Sequence, residues 1–206
     1  HKLWVLSLPE GYRAWPELAL AGKDYDGMGT LVNDKTSHFS ADDRKHLQDA
    51  TQNGLAWLKK ALIVSDSPKK AKHMTILKRW FADANSKEED MVAAAAALNA
   101  GLKKTVACIK SNCLLITDMP VDRGNAARAN VNAFVFSNEA INVIYVEPAF
   151  FSNRDMFRDL KNWTRIVIHE LSHRMVKTKD HRYRHHSLGL KADAADATFT
   201  AAHALD

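Results

Sequence analysis

Residues 164–183, TRIVIHELSHRMVKTKDHRY, bring three histidines, a glutamate, an aspartate and a tyrosine into one short stretch. His169 and His173 are four apart, so on a helix their imidazoles share one face, one turn apart. Neutral imidazole is a good zinc ligand, and two at this spacing can reach a single ion. Glu170 lies about 100° around the same helix, where its carboxylate can act as a base on a water held by that ion. With 10 histidines in 206 residues, only ~0.02 such motifs are expected by chance. Trp163, Ile166, Val167, Leu171 and Met175 complete an apolar side without the histidines.

Two imidazoles do not make a catalytic centre. A catalytic zinc takes three protein ligands and leaves a place for water. Asp180, His181, His185, His186 and His203 all lie downstream, and spacing does not choose among them.

The elements around this stretch set the fold class. Residues 1–40 carry Pro9, Gly11, Pro16, Gly22, Gly27 and Gly29 and are expected to form an irregular arm before a single domain over 41–206. A helix is expected from Ser40, with Asp43 three residues on and Leu47, Thr51, Leu55, Leu58 and Leu62 at helical spacing. A second follows Pro68, with an apolar face of Ile76, Leu77, Trp80 and Phe81. A third, alanine-rich helix opens at Ser86, and Gly101 weakens its helical pattern. CLLITD, VNAFVFS and INVIYVEP then read as short strands, the last two as a hairpin, with RGNAARAN as a loop. Helical spacing returns from Phe157, and LKADAADATFTAAHAL is expected as a closing helix. This order makes an α+β domain, mostly helical, with a small sheet beside the HELSH helix.

HELSH followed by TKDHRY resembles the deuterolysin and peptidyl-lysine metalloendopeptidase family, the aspzincins, whose signature is HExxH followed by Thr-x-Asp-x-x-Tyr. Thr178, Asp180 and Tyr183 match it. The segments LKRWFADANSKEEDMVAAAAALNAGL and INVIYVEPAFF are similar to further parts of the family, so the resemblance spans roughly residues 70–200. It implies a zincin-like fold, one catalytic zinc held by His169, His173 and Asp180, Glu170 as general base and Tyr183 as the hydroxyl that stabilises the oxyanion. It implies a zinc metalloendopeptidase acting on protein or peptide. KADAAD resembles the acidic stretch with which the lysine-specific branch receives a lysine after the cut, which points to Asp193 and Asp196; two acids three apart on a helix share a face. Where the family carries glycine before the threonine and after the tyrosine, this chain has Lys177 and Arg184.

Composition bounds the partners. The formal charge is +5, from 29 basic and 24 acidic residues, which is mild for a nucleic-acid binder. The lysines are spread over several helices without interleaved aromatics, so no nucleic-acid partner is expected. No apolar run reaches the roughly 18 residues of a membrane span, and no membrane partner is expected. The isolated domain is expected to be a monomer. Cys108 and Cys113 can close a small disulfide loop or remain reduced thiols, and their spacing does not fit a two-cysteine metal clip. HRYRHHS, residues 181–187, reads as a solvated loop, with a substrate rim or accessory metal site as the sharper reading.

The chain opens at His1 without a leader, so it is expected to be a piece of a longer protein, such as the toxin or effector module of a secreted one acting outside the producing cell. Two alternatives stand beside an endopeptidase of proteins: a peptidase of cell-wall stem peptides, and a non-catalytic module stabilised by a closed, four-ligand zinc site.

Overall fold

A computed structural model describes residues 1–7, 38–152 and 159–180. The strands are β1 (Trp4–Leu6), β2 (Leu114–Thr117), β3 (Ala133–Phe134) and β4 (Asn142–Val146). The helices are α1 (Ala41–Asp66), α2 (Ala71–Phe81), α3 (Glu88–Lys110), α4 (Ala149–Ser152) and α5 (Asp159–Val176). The α+β class expected from the sequence is what the chain adopts.

The strands form one sheet in the order β1-β2-β4-β3. β1 and β4 both run parallel to β2, with Val5 opposite Ile116 and Ile116 opposite Ile144. β3 runs antiparallel to β4, with Phe134 opposite Tyr145, so the expected hairpin pairing forms over two residues. All four β2 residues are buried, as are Val143 to Val146. An unbroken apolar strand of this kind is covered on both faces, which suits parallel pairing. Leu6, Leu115, Val143 and Tyr145 cluster on one face, with Trp4, Met119, Phe134 and Ile141 packed against them. Part of the expected arm, Trp4–Leu6, thus serves as an edge strand; residues 8–37 lie outside the described residues.

By internal contacts the chain divides into two compact units, residues 1–55 with 107–174, and residues 56–106 with 175–206. In the first, α1 begins with a reciprocal capping box. The Ser40 N–H donates to Asp43 Oδ2 at 2.9 Å, and the Asp43 N–H donates to Ser40 Oγ at 3.0 Å. The first half of α1 lies along α5. Asn53 Nδ2 donates to Thr164 Oγ1 at 3.0 Å, and the His46 ring sits 4.3 Å from Trp163. A Cβ at Gly54 would stand 3.4 Å from Ile168 Cγ1, so this glycine lets the two helices approach closely.

In the second unit, Met74, Leu77, Met91 and Ala95 form the core, with Val64, Phe81 and Leu98 against it. α3 begins at Glu88 rather than at Ser86: the Lys87 N–H donates to Asp90 Oδ2 at 2.7 Å, while the Ser86 hydroxyl donates to Asp83. α3 is long and apolar enough, by length and composition, to cross a membrane. Its Met91 and Ala95 are nevertheless core residues of this unit. Gly101 does not interrupt it. A Cβ there would meet Val176 Cγ1 at 3.1 Å and Cγ2 at 3.2 Å, so the glycine makes room for Val176. Cys108 is buried and Cys113 exposed, both as free thiols, and burial pushes the Cys108 thiol up to about 11.

Candidate metal centre

α5 is held on its inner side by the buried Trp163, Ile166, Val167 and Leu171, the apolar positions that helical spacing identifies. That placement leaves His169 and His173 half-exposed one turn apart. Their Nε2 atoms are 3.1 Å apart and their rings meet edge to face, 4.5 Å between centroids. Two nitrogens on a tetrahedral zinc stand about 3.3 Å apart, given bonds of about 2.0–2.1 Å. Glu170, with 7% of its side chain exposed, brings Oε1 to 4.0 Å from His169 Nε2. A carboxylate beside this pair and largely shielded from water suits a base.

α5 stops at Val176, and Lys177 takes φ +65°. This left-handed turn is the usual way for a helix to end and the chain to change direction, and it is where glycine costs least. Lys177 is the residue that stands where the resembled family has glycine, the residue type for which this conformation costs least. Three residues on is Asp180. The ligand atoms of His169, His173 and Asp180 lie within 4.8 Å of one another, a grouping made along one continuous run of chain. Two neutral imidazoles and one carboxylate are the donor set of a catalytic zinc with a place left for water, so these residues fit the ion.

Sequence reasoning missed Arg174. Its guanidinium donates to three main-chain carbonyls: Ser137 at 3.0 Å, Glu139 at 2.6 Å and Ile141 at 3.1 Å. These carbonyls belong to the link between β3 and β4, so the residue after the second histidine ties that link to α5. Glu139 in turn accepts a hydrogen bond from the Tyr145 hydroxyl. An arginine on the polar side of a helix carries no sequence signal for such a role.

Glu147, directly after β4, is 4% exposed, and its Oε1 has no hydrogen-bond partner among the described residues. Burial pushes its carboxyl up to about 7; Asp122 and Asp118 add to the rise and Arg128 opposes it. Tyr183, Asp193 and Asp196, together with His181, His185, His186 and His203, lie outside the described residues.

The aspzincin family model, described as lysine-specific metallo-endopeptidase, matches residues 67–203, about two thirds of the chain. No curated protein matches the chain, and no solved structure does.

Proposed function

We propose that this chain, which belongs to the aspzincin family of lysine-specific metallo-endopeptidases, hydrolyses peptide bonds with Glu170 as general base and His169, His173 and Asp180 as the ligands of one catalytic zinc. The family is zinc-dependent and its substrates are proteins or peptides. The observation that carries the reading is the convergence of the two histidines and Asp180 to within 4.8 Å.

Zinc, when bound at such a site, lowers the pKa of its water towards about 7 and polarises a carbonyl. The Glu170 carboxylate takes one proton from the attacking water and delivers it to the departing amine nitrogen, so the base is restored at the end of each cycle. His169 and His173 stay neutral and keep Nε2 as a lone-pair donor. Tyr183 donates its hydroxyl to the oxygen that gains charge, a role resting on the TKDHRY resemblance. The outer edge of β3 takes an extended substrate by main-chain pairing, and Arg174 holds the following link in place for it. Asp193 and Asp196 receive a lysine side chain after the cut, as the KADAAD resemblance implies.

The test compares the chain with Glu170→Gln on a casein digest and on peptides with and without lysine after the scissile bond. The variant keeps its zinc and loses about 10³-fold or more in turnover. A Glu170→Gln chain that binds zinc and cleaves at the original rate contradicts the assignment.

A further inference from the structure

The charge of this chain is unevenly placed. Residues 56–81 carry seven basic residues and one acid, a net +6 against +5 for all 206 residues, so the remainder is net −1. The one acid, Asp66, is exposed but already partnered within this unit: Asn99 Nδ2 donates to its Oδ1 at 2.7 Å, and Lys103 Nζ lies 3.8 Å away. The cations are all exposed.

α2 turns part of this charge into a surface. Met74 and Leu77 are buried in the core and fix its rotation. Lys72, Ile76, Arg79 and Trp80 then fall at i, i+4, i+7 and i+8 on the opposite face. Ile76 is 37% and Trp80 48% exposed, two of the six large exposed apolar residues among the described ones. The Arg79 guanidinium sits 5.5 Å from the centre of the Trp80 ring. Lys69 and Lys70, both exposed, directly precede α2.

We propose that the outer face of α2 docks on the surface of an anionic phospholipid bilayer, with Trp80 and Ile76 entering the headgroup region and the surrounding lysines and Arg79 meeting lipid phosphates. A tryptophan beside an aliphatic residue suits the boundary between headgroup and acyl chain, where the ring is covered and its N–H stays wet. Lysine stems follow that boundary and keep their ammonium groups in water. Each cation near an anionic leaflet contributes roughly fivefold in affinity. A nucleic acid would match the charge and could stack on Trp80, but it leaves the exposed Ile76 unused, whereas a bilayer covers both apolar side chains. Surface docking needs no membrane-crossing helix, and the proposal is independent of the peptidase reading.

Vesicle co-sedimentation of the full chain tests it, using phosphatidylcholine vesicles and vesicles with about a third phosphatidylglycerol. The chain partitions at least tenfold more strongly to the anionic vesicles, and Trp emission shifts to the blue. The pair Ile76→Ser with Trp80→Ser lowers that partition by about tenfold or more, and Lys72→Glu with Arg79→Glu by about twentyfold or more. Both pairs keep the thermal melt of the parent, which separates lost docking from lost fold. Equal partition to neutral and anionic vesicles overturns the proposal. So does anionic binding that both variant pairs retain, or retention on duplex DNA without vesicle binding.

Discussion

The Nε2 atoms of His169 and His173 face each other at 3.1 Å, close to the separation that two ligands of one zinc adopt. Neither ring can move to the other's side, because the helix that carries them is pinned by Trp163, Ile166 and Leu171. Both imidazoles stand on one pinned helix, so zinc should bind the folded chain in preference to the unfolded one. Saturating zinc is expected to stabilise the chain by about 4 kcal/mol when present at about a thousand times its Kd. Calorimetry with zinc and with a chelator measures this, and His173→Ala should remove the difference.

Lys177 offers a backbone test of the turn. A non-glycine residue at φ +65° costs roughly 1 kcal/mol relative to glycine. Lys177→Gly is expected to gain about 0.5–1 kcal/mol in urea unfolding. A β-branched residue such as Val at this position should lose more than 1 kcal/mol. A neutral Lys177→Val would remove the turn from the account.

Gly101 and Val176 make a coupled pair. An alanine in a helix interior is favoured over glycine by about 1 kcal/mol, yet here its Cβ meets a branched, stiff side chain at 3.1 Å. Gly101→Ala should therefore destabilise the parent by about 1 kcal/mol and stabilise a Val176→Ala background by a similar amount. The double-mutant cycle reads this change of sign.

These positions also show where the sequence was legible. The HELSH helix was, because its apolar side and its histidine pair obey one 3.6-residue period. So was α1, whose Ser40 and Asp43 form the capping box their spacing suggests. Strand partners were not: short runs of branched and aromatic residues between turn formers mark β2 and β4 as strands, but nothing local says that they run parallel. The unbroken apolar run of LLIT was the available hint of a strand covered on both sides. Trp4–Leu6 is too short to stand out before a stretch rich in glycine and proline. Gly101 reads as a weak point in a helix because its reason is Val176, distant in the chain. Arg174 is unreadable for the same cause, since its three partners are main-chain carbonyls of another segment.

Glu147 gives the chain a pH dependence of definite sign. Its carboxyl titrates near 7 when folded and near 4.5 when unfolded, so between those values the folded state binds more protons. The stability it provides is full below about pH 4.5, falls as pH rises, and is gone above about 7. The total is roughly 3 kcal/mol. Glu147→Gln should flatten this slope and make the chain relatively more stable at pH 8 than at pH 5, as urea titrations at the two values measure. An unchanged slope would place the pH dependence elsewhere.

The most direct test of the metal centre is zinc stoichiometry and affinity for the parent, Asp180→Asn and His181→Ala, measured by competition with a chromogenic chelator. One zinc per chain is expected, with affinity lowered by about 100-fold or more in Asp180→Asn and unchanged within about threefold in His181→Ala. Retained affinity in Asp180→Asn together with its loss in His181→Ala would contradict the account, since the third ligand would then be the histidine.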